Sequence, residues 1–444
     1  MGDTLDVFFG AALGGAQRSI SVRLARMLGQ GLDERIAALR VPPWLAPLAG
    51  FALALAVSWL LCLAVARLGR RFGLLDLPRG RHRHTRAAPP LGGLAIFLAF
   101  ALAAALLYHP GGPYEAHVVT GLFAAALLTV VVMLIDDIRG LPVSARLVAQ
   151  TAAAALVMFP GASGMVISVI HNPLGSGASA IIPLPLWLAV LFTWFWIVGM
   201  MNTINWVDGV DGLAGGVVAI AAVVMALVSW MLGQTSVAAL CAILAGACVG
   251  FLLLNWSGAL FMGDNGAMFL GLALATLAGI GGAKLAMMLL LLGVPILDAL
   301  LVIVVRLWQR QSPAEADLRH LHYRLISSGL SKRQVALIFY VLTAAFGVVT
   351  ITAAYLQAHA WQWSAVLHIT PWLRLAVTEA PTAVGLLLIP TLTLALWLAL
   401  RRRAGGTPSS LRGASPLRGR TVGEDSDDGD VGRVLSASGS LRRP

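Results

Sequence analysis

Apolar residues along this 444-residue chain are gathered into long runs with almost no charge, and polar loops separate one run from the next. Most runs approach the roughly 20 residues that a helix needs to cross a hydrocarbon core of about 30 Å. We therefore predict an all-α fold, a polytopic integral membrane bundle of about eleven transmembrane helices. The runs lie near residues 43–67, 91–108, 117–135, 145–160, 184–203, 213–232, 236–254, 266–281, 285–305, 334–356 and 382–400.

The composition agrees with this pattern. Hydrophobic residues make up 59% of the chain and charged residues 11%, whereas a soluble domain carries about 25% charged residues. Because the runs are continuously apolar, they exclude an outer-membrane barrel, whose strands alternate. The net charge of +11 comes mainly from arginines in the loops, which indicates membrane topology and anionic headgroups instead of a nucleic-acid partner.

Basic residues are concentrated in alternate loops, and this orients the helices. Loops 68–90 and 306–333 are rich in arginine, while loops 109–116 and 161–183 contain no arginine or lysine. The positive-inside rule therefore predicts that the basic loops face the cytoplasm.

The chain divides into three parts. Residues 43–403 are expected to form the transmembrane domain. Residues 1–42 carry five arginines and are interpreted as an N-terminal extension, either an interfacial helix or a segment before the true start. Residues 404–444 are rich in Gly, Ser, Pro and Arg, which is typical of a disordered tail, here on the cytoplasmic side.

One segment, from Asn202 to Gly216, combines acids, amides and glycines at regular spacing between two apolar runs. A glycine follows each of its aspartates, and the polar residues recur at steps of three, at Asn202, Asn205, Asp208 and Asp211. A carboxylate costs about 2.5–3.5 kcal/mol on insertion scales when it enters the hydrocarbon. Acids and amides at such an edge therefore indicate a cation and anion site.

Other carboxylates map to the same predicted cytoplasmic side. They are Asp136, Asp137 and Asp264, accompanied by His320 and His322 in the last basic loop. A transporter tends to hold its acids at mid-membrane on broken helices, whereas these form a ring at one water–lipid boundary. Mg²⁺ bridges carboxylate and phosphate oxygens, and phosphoryl transfer depends on positioning and charge neutralisation. The pattern favours a reaction between a soluble anionic substrate and a lipid phosphate.

Each motif also has a structural explanation of its own. Asp136 and Asp137 are compatible with a solvated helix end, and Asp208 or Asp211 with an N-cap of the next helix. Asp298, inside an apolar run, is compatible with a group that supports a kink or stands behind a site. The convergence of the motifs on one face favours the functional interpretation.

A series of different polar motifs is distributed from about residue 70 to residue 340. In order, they are Asp76-Leu-Pro78-Arg-Gly-Arg81-His-Arg-His84, Asp136-Asp137-Ile-Arg-Gly-Leu141 with Arg146 and Gln150, the segment from Asn202 to Gly216, Asn255 with Phe261-Met-Gly-Asp264-Asn-Gly266, Pro295-Ile-Leu-Asp298, and Asp317-Leu-Arg-His320-Leu-His322-Tyr-Arg324-Leu. This ordered set resembles the polyprenyl-phosphate N-acetylhexosamine-1-phosphate transferases. Each motif alone is moderately specific, and the set is very specific.

The resemblance implies a reaction. The phosphate of a membrane polyprenol, undecaprenyl or decaprenyl phosphate, attacks the β-phosphate of a UDP-N-acetylhexosamine, releases UMP and leaves the sugar on a lipid diphosphate. The resemblance also implies a bacterial cytoplasmic membrane protein whose active site faces the cytoplasm, and we further expect a homodimer.

The same resemblance assigns expected roles to residues. Asp264 and Asn205 are the expected ligands of Mg²⁺, with Mn²⁺ as the alternative ion. Phe261 is expected to stack on the uracil base. The expected catalytic carboxylates are Asp136, Asp137, Asp208 and Asp211, the first two beside the lipid phosphate and the last near the nucleoside. Side chains expected to bind the substrates are Asn202, Arg81, His84, Arg146, Arg319, His320, His322 and Arg324.

A few positions depart from the family pattern. His82 stands where the family usually has Lys, Tyr323 where it has His, and Ala267 where it has Ser. These departures leave every carboxylate in place and affect mainly the expected sugar contacts. The loop around His320 favours the N-acetylglucosamine branch. The alternatives are a phospho-MurNAc-pentapeptide transferase and, from a different class, a secondary transporter.

Overall fold

A computed structural model describes residues 42, 44–76, 87–161, 164–171, 181–280, 284–311, 319–367, 384–385 and 387–400. The predicted extension, apart from residue 42, and the predicted tail therefore lie outside the described residues. Arg81 and His84 also lie outside them.

The described residues are mostly helical. Within them the helices are α1 (Ala46–Arg71), α2 (Gly92–Leu107), α3 (Pro113–Arg139), α4 (Val143–Met158), α5 (Leu186–Val207), α6 (Leu213–Met231), α7 (Thr235–Asn255), α8 (Gly263–Gly279), α9 (Lys284–Leu291), α10 (Gly293–Trp308), α11 (Leu321–Ser327), α12 (Lys332–Leu367) and α13 (Leu387–Leu400). The predicted all-α polytopic fold is confirmed, because every predicted apolar run contains helix.

Helix boundaries follow local chemistry. Proline stands in the first turn of α1 and α3 and directly before α4 and α5, where its missing N–H removes no helical hydrogen bond. Gly140 ends α3 with a φ of 72°, a conformation that costs glycine little.

Helices α7 and α8 form the centre of the bundle. Every residue from 265 to 278 is buried, as expected for a helix that is apolar on all sides. Gly246 and Gly250 of α7 lie against α1 so closely that an added Cβ would approach the carbonyl oxygens of Phe51 and Leu55 to 2.2 and 2.4 Å. Small residues at these positions allow the two backbones to pack in contact.

Six described helices are long and apolar enough to cross a membrane, namely α1, α3, α5, α6, α7 and α12. The pair α9–α10 passes the same test together but is bent by 80° between Leu285–Leu291 and Gly293–Trp308. Three shorter apolar helices are α2, α4 and α13. The chain is a multi-pass membrane protein, and the count of about eleven spans stays a prediction.

A short hairpin interrupts the otherwise helical fold. Strands β1 (Val169–His171) and β2 (Ile181–Pro183) pair antiparallel between α4 and α5. At the opposite ends of α4 and α5, the chain brings together the end of α3, the turn between α5 and α6, and the start of α8. These three segments carry the aspartates singled out in the sequence.

Candidate functional site

Asp137, near the end of α3, is bound to the start of α8. Its carboxylate accepts hydrogen bonds from the backbone N–H groups of Asp264 at 2.9 Å and Asn265 at 3.2 Å, and from the Asn265 side-chain amide at 2.6 Å. The first N–H groups of a helix have no partner within it, and a carboxylate there also interacts favourably with the helix dipole. Asp137 therefore fixes the orientation in which α8 presents Asp264.

The start of α8 is held from a second side by α2. Gly92 and Gly93 donate backbone hydrogen bonds to the carbonyls of Phe261 and Met262, both at 2.9 Å. A Cβ at Gly93 would lie 2.1 Å from the backbone nitrogen of Gly266, so only glycine permits this approach. The segment before Asp264 consequently has little freedom to move.

Arg146 connects two of the predicted site carboxylates. Its Nη1 lies 3.6 Å from Asp136 and 3.5 Å from Asp264. Asp136 also accepts the backbone N–H of Leu141, which closes the turn between α3 and α4. The arginine therefore lies between the end of α3 and the start of α8, with its side chain about one-third exposed.

Asp208 and Asp211 lie on the turn between α5 and α6. Gly212 completes this turn with a φ of 85°, and its N–H donates to the Asn255 side chain at 2.6 Å. The Tyr340 hydroxyl donates to the Gly212 carbonyl at 2.5 Å, and Lys332 lies 3.4 Å from Asp211. Two side chains thus hold the backbone of the turn, and one cation pairs with its second carboxylate.

The two asparagines of this segment have different surroundings. Asn202 forms a reciprocal amide pair with Gln150 of α4, with hydrogen bonds of 2.9 and 3.3 Å. Asn205 lies beside Asp264, and its side-chain amide favours the charged form of that carboxylate. The Asn205 amide oxygen and the Asp264 carboxylate are both oxygen ligands of the kind that Mg²⁺ prefers.

The aspartates are close enough to influence one another. Burial raises the pKa of Asp208 well above its usual range, and the charges of Asp264, Asp211 and Asp137 raise it further. Among the described residues, no three His, Cys, Asp or Glu side chains are close enough to chelate a metal by themselves. Mg²⁺ is commonly held by one or two carboxylates together with water and substrate phosphates, and this arrangement fits that use.

The loop before α11 carries the predicted histidines. His320 Nδ1 lies 2.9 Å from Asp298 of α10, and its ring stacks on Trp206 with 6.0 Å between centroids. His322 stacks on His320 at 5.8 Å and is almost fully buried. Burial, followed by the neighbouring His320, lowers the pKa of His322 to about 3. His322 is therefore neutral at physiological pH.

The two arginines of this loop lie at its outer edge. Arg319 donates to the side chains of Gln309 and Gln311, at 2.7 and 3.1 Å. Arg324 donates to the Arg319 carbonyl at 2.5 Å, and its guanidinium lies 4.0 Å from the ring centre of Trp397 in α13. Both arginines line a cavity of about 530 Å³ on this side of α10.

A second cavity, of about 570 Å³, is lined by Arg146 and Asn205, which adjoin Asp264, and by the apolar surfaces of α4, α5 and α10. Its polar lining residues are Arg146, Gln150, Asn202, Thr203 and Asn205. Apolar side chains that line it, including Phe195 and Leu300, are exposed on the outside of the bundle. An apolar groove with cationic and amide groups at one end suits a lipid with a phosphate headgroup.

The structure brings together most of the predicted site residues. The cluster defined by Asp136, Asp137, Arg146, Asn205, Asp208 and Asp264 is compact, and Asp211 lies at its edge. Phe261 is only 8% exposed. Sequence reasoning assigned no site role to Asn265, Trp206, Lys332 or Tyr340. Of these four residues, only Asn265 and Trp206 could have been noticed in the sequence, because each directly follows an expected Mg²⁺ ligand.

Comparison with known proteins gives consistent matches. The sequence model described as "Glycosyl transferase family 4" matches residues 119–282. A Bacillus subtilis protein named probable undecaprenyl-phosphate N-acetylglucosaminyl 1-phosphate transferase is 29% identical, over 72% of this chain and 86% of its own length. The decaprenyl-phosphate N-acetylglucosaminephosphotransferase of Mycolicibacterium smegmatis is 34% identical, over 67% and 78%. The undecaprenyl-phosphate alpha-N-acetylglucosaminyl 1-phosphate transferase of Salmonella typhi is 30% identical, over 64% and 78%.

Proposed function

Because the chain belongs to glycosyl transferase family 4, in its polyprenyl-phosphate N-acetylglucosamine-1-phosphate transferase branch, we propose that it transfers N-acetylglucosamine-1-phosphate from UDP-GlcNAc to a membrane polyprenyl phosphate, undecaprenyl or decaprenyl phosphate. An oxygen of the lipid phosphate forms a bond to the β-phosphorus, and the bond from that phosphorus to the UMP oxygen breaks. The sugar stays on the lipid diphosphate. This initiates a cell-envelope polysaccharide.

One observation carries the proposal, namely that Arg146 and Asn205, which adjoin the aspartates of the cluster, also line the apolar groove. The groove suits the prenyl chain, and Arg146 at its polar end supplies a positive charge for the lipid phosphate. The cluster supplies the oxygen ligands that phosphoryl transfer needs beside the diphosphate. An acceptor and a donor are thereby aligned at a single point.

Asp136 and Asp137 act in our proposal chiefly by alignment. At neutral pH a phosphate monoester is already largely ionised, so removing its proton contributes little. Asp136 holds Arg146 in position, and Asp137 holds the start of α8. Asp208, at the end of α5 beside Asp264 and Asp137, is the further catalytic carboxylate in this proposal.

Asp264 and Asn205 are proposed to hold Mg²⁺, or Mn²⁺ in its place. The ion, when bound, neutralises charge on the diphosphate that develops further as UMP leaves. The fit rests on the position of Asn205 beside Asp264, since a carboxylate and an amide oxygen are ligands that Mg²⁺ accepts, and on the crowding of like charges around Asp208.

The remaining side chains are proposed to bind UDP-GlcNAc. Phe261 contacts the uracil base, and Asp211 lies near the nucleoside. Asn202 contributes to the polar end of the groove. The side chains proposed to hold the diphosphate and sugar are Arg146, Arg319, His320, His322 and Arg324, and Arg81 and His84 are proposed to bind substrate. Because His322 is neutral, it contributes hydrogen bonding and not positive charge.

A parallel assay tests the proposal. Purified protein with Mg²⁺ and polyprenyl phosphate is offered either UDP-GlcNAc or UDP-MurNAc-pentapeptide, and UMP release is measured. We expect turnover of UDP-GlcNAc. Turnover of the pentapeptide substrate alone would assign the chain to peptidoglycan synthesis. Passage of intact UDP-GlcNAc into proteoliposomes without lipid diphosphate formation would identify a transporter.

A further inference from the structure

Asp298 is a carboxylate deep inside α10 whose role the sequence left open. Asp298 is 2% exposed, and each of its two carboxylate oxygens accepts a different hydrogen bond. Oδ2 accepts one from His320 Nδ1, and Oδ1 accepts one from the backbone N–H of Leu321, both at 2.9 Å. Asp298 thus connects α10 to the histidine loop.

A buried carboxylate is expensive unless donors compensate it. Here the two donors belong to consecutive residues, His320 and Leu321, which lie 22 and 23 positions after Asp298 in the chain. A role in capping α11 needs only the Leu321 N–H, and a neutral acceptor would meet that need at lower cost. The second contact, to a histidine ring, calls for a separate reason.

The contact with Asp298 determines where the His320 proton lies. A carboxylate oxygen is only an acceptor, so Nδ1 must carry the hydrogen. In the neutral ring, Nε2 is then left with the lone pair and points away from Asp298. Carboxylates behind imidazoles fix ring orientation and tautomer in this way in metal and catalytic sites.

The ring that Asp298 fixes adjoins the reaction site. His320 stacks on Trp206, which directly follows Asn205 and precedes Asp208 by two positions. His322 also stacks on His320. The Nε2 atom of His322 lies close to Gly209, since a Cβ added to that glycine would come within 2.5 Å of it. A rotation of the His320 ring would disturb the packing against the Asp208 turn.

We infer that Asp298 is a positioning residue of the transferase, which orients His320 with its proton on Nδ1 and so presents the Nε2 lone pair, a hydrogen-bond acceptor, to the hydroxyl or acetamido N–H groups of the donor sugar. The inference rests on the proposed function, because it takes the donor to be a nucleoside diphosphate sugar. It assigns Asp298 no contact with the substrate.

Asp298→Asn separates positioning from capping. The asparagine oxygen still accepts the Leu321 N–H, but its NH₂ group faces Nδ1 and donates, which moves the His320 proton to Nε2. We expect kcat to fall about 10–100-fold, the usual effect of losing such a supporting partner, while KM for UDP-GlcNAc changes less than about twofold. The melting temperature in detergent should stay that of the wild type.

Two further variants complete the experiment. In a His320→Gln background, Asp298→Asn should lower kcat little further, because the group that it orients is gone. Val302→Ala, one turn along α10 and also buried, is the matched control and should lower the melting temperature without changing kcat. Wild-type kcat in Asp298→Asn, or its full effect repeated in the His320→Gln background, would overturn the inference.

A readout independent of turnover separates this inference from the proposed function. In ¹⁵N-histidine NMR, with His320 assigned by its absence in His320→Gln, the wild type should carry its proton on Nδ1 and Asp298→Asn on Nε2. A wild-type proton on Nε2 would refute the positioning role even in an active enzyme. Absence of UMP release from the wild type would instead reject the proposed function.

Discussion

Asn265 donates its side-chain amide to Asp137 at 2.6 Å, across 128 positions of sequence. Asn265 is fully buried, and the same amide nitrogen lies 2.9 Å from the Pro90 carbonyl. The side chain therefore joins the end of α3, the segment before α2 and the start of α8. Its neighbour Asp264, the proposed Mg²⁺ ligand, takes its position from this junction.

Substitution of Asn265 should separate hydrogen bonding from packing. Asn265→Asp keeps the shape but brings a carboxylate against Asp137, while Asn265→Ala removes the side chain. If only packing mattered, the aspartate would be the milder change. Because like charges at this distance repel, we expect Asn265→Asp to lose more activity than Asn265→Ala, as measured by UMP release from folded protein. The reverse order would contradict the proposed junction.

Asp264→Asn should be among the most severe changes. It keeps the shape but removes the negative charge that attracts a hard cation, and losing such electrostatic stabilisation costs about 10²–10³-fold in rate. The measurement is turnover against Mg²⁺ concentration. Phe261→Ala serves as the contrast, because it should raise KM for the UDP-sugar through lost stacking, worth roughly 1–3 kcal/mol, at an unchanged Mg²⁺ optimum. Near-normal turnover of Asp264→Asn would transfer the ligand role to Asp208.

The Mg²⁺ requirement should depend on pH. The pKa of Asp208 is raised, so the folded cluster binds protons that the unfolded chain has already released. Without Mg²⁺, the free energy of unfolding should therefore fall as pH rises above the ordinary aspartate pKa of about 3.9. Protons compete with the cation, so the half-saturating Mg²⁺ concentration should increase as the pH is lowered. Asp208→Asn should flatten that dependence, and a flat wild-type profile would oppose the assignment.

Tyr340→Phe should loosen the turn that carries Asp208 and Asp211. It deletes only the hydroxyl that binds the Gly212 carbonyl, and such a hydrogen bond contributes about 0.5–1.5 kcal/mol. We expect kcat to fall by at most about tenfold. Tyr355→Phe, on the same helix but exposed at 44%, is the control and should retain full activity. Equal effects of the two changes would remove the support role from Tyr340.

Cysteine labelling in intact cells should reveal the orientation of the site. The native cysteines Cys62, Cys241 and Cys248 are buried, so they give little background. Cysteines at the exposed positions Ser144 and Ser331 should resist an impermeant thiol reagent, because they belong to the predicted cytoplasmic side. A cysteine at exposed Ser168, beside the hairpin, should react. The opposite pattern would reverse the topology.

The sequence alone could predict the helices and much of the cluster, because both depend on local signals. A run of about 20 apolar residues forms a membrane helix whatever its neighbours are, and loop charge brings Asp136 and Asp208 to one side. The hairpin at Val169–His171 was missed, since strands of three residues leave almost no periodic pattern.

The contacts that hold the site could not be predicted in the same way. Tyr340 reaches Gly212 across 128 positions, and Asp298 in α10 reaches His320 across 22 positions. Such contacts depend on how helices cross, which is decided by packing of whole faces. The sequence identified Asp298 as an unusual buried acid, but only the structure identifies its partner.

The apolar groove is lined by α10, which is bent by 80° from α9, and its lining residues Phe195 and Leu300 are exposed on the outside of the bundle. This arrangement has a consequence for the rate at which the lipid acceptor binds. A groove that is open sideways allows the acceptor to arrive, and the product to depart, by lateral diffusion without crossing water. The relevant acceptor concentration is then its mole fraction in the bilayer plane and not its amount per volume. Envelope synthesis at this step would accordingly respond to how many carrier molecules share each unit of membrane area.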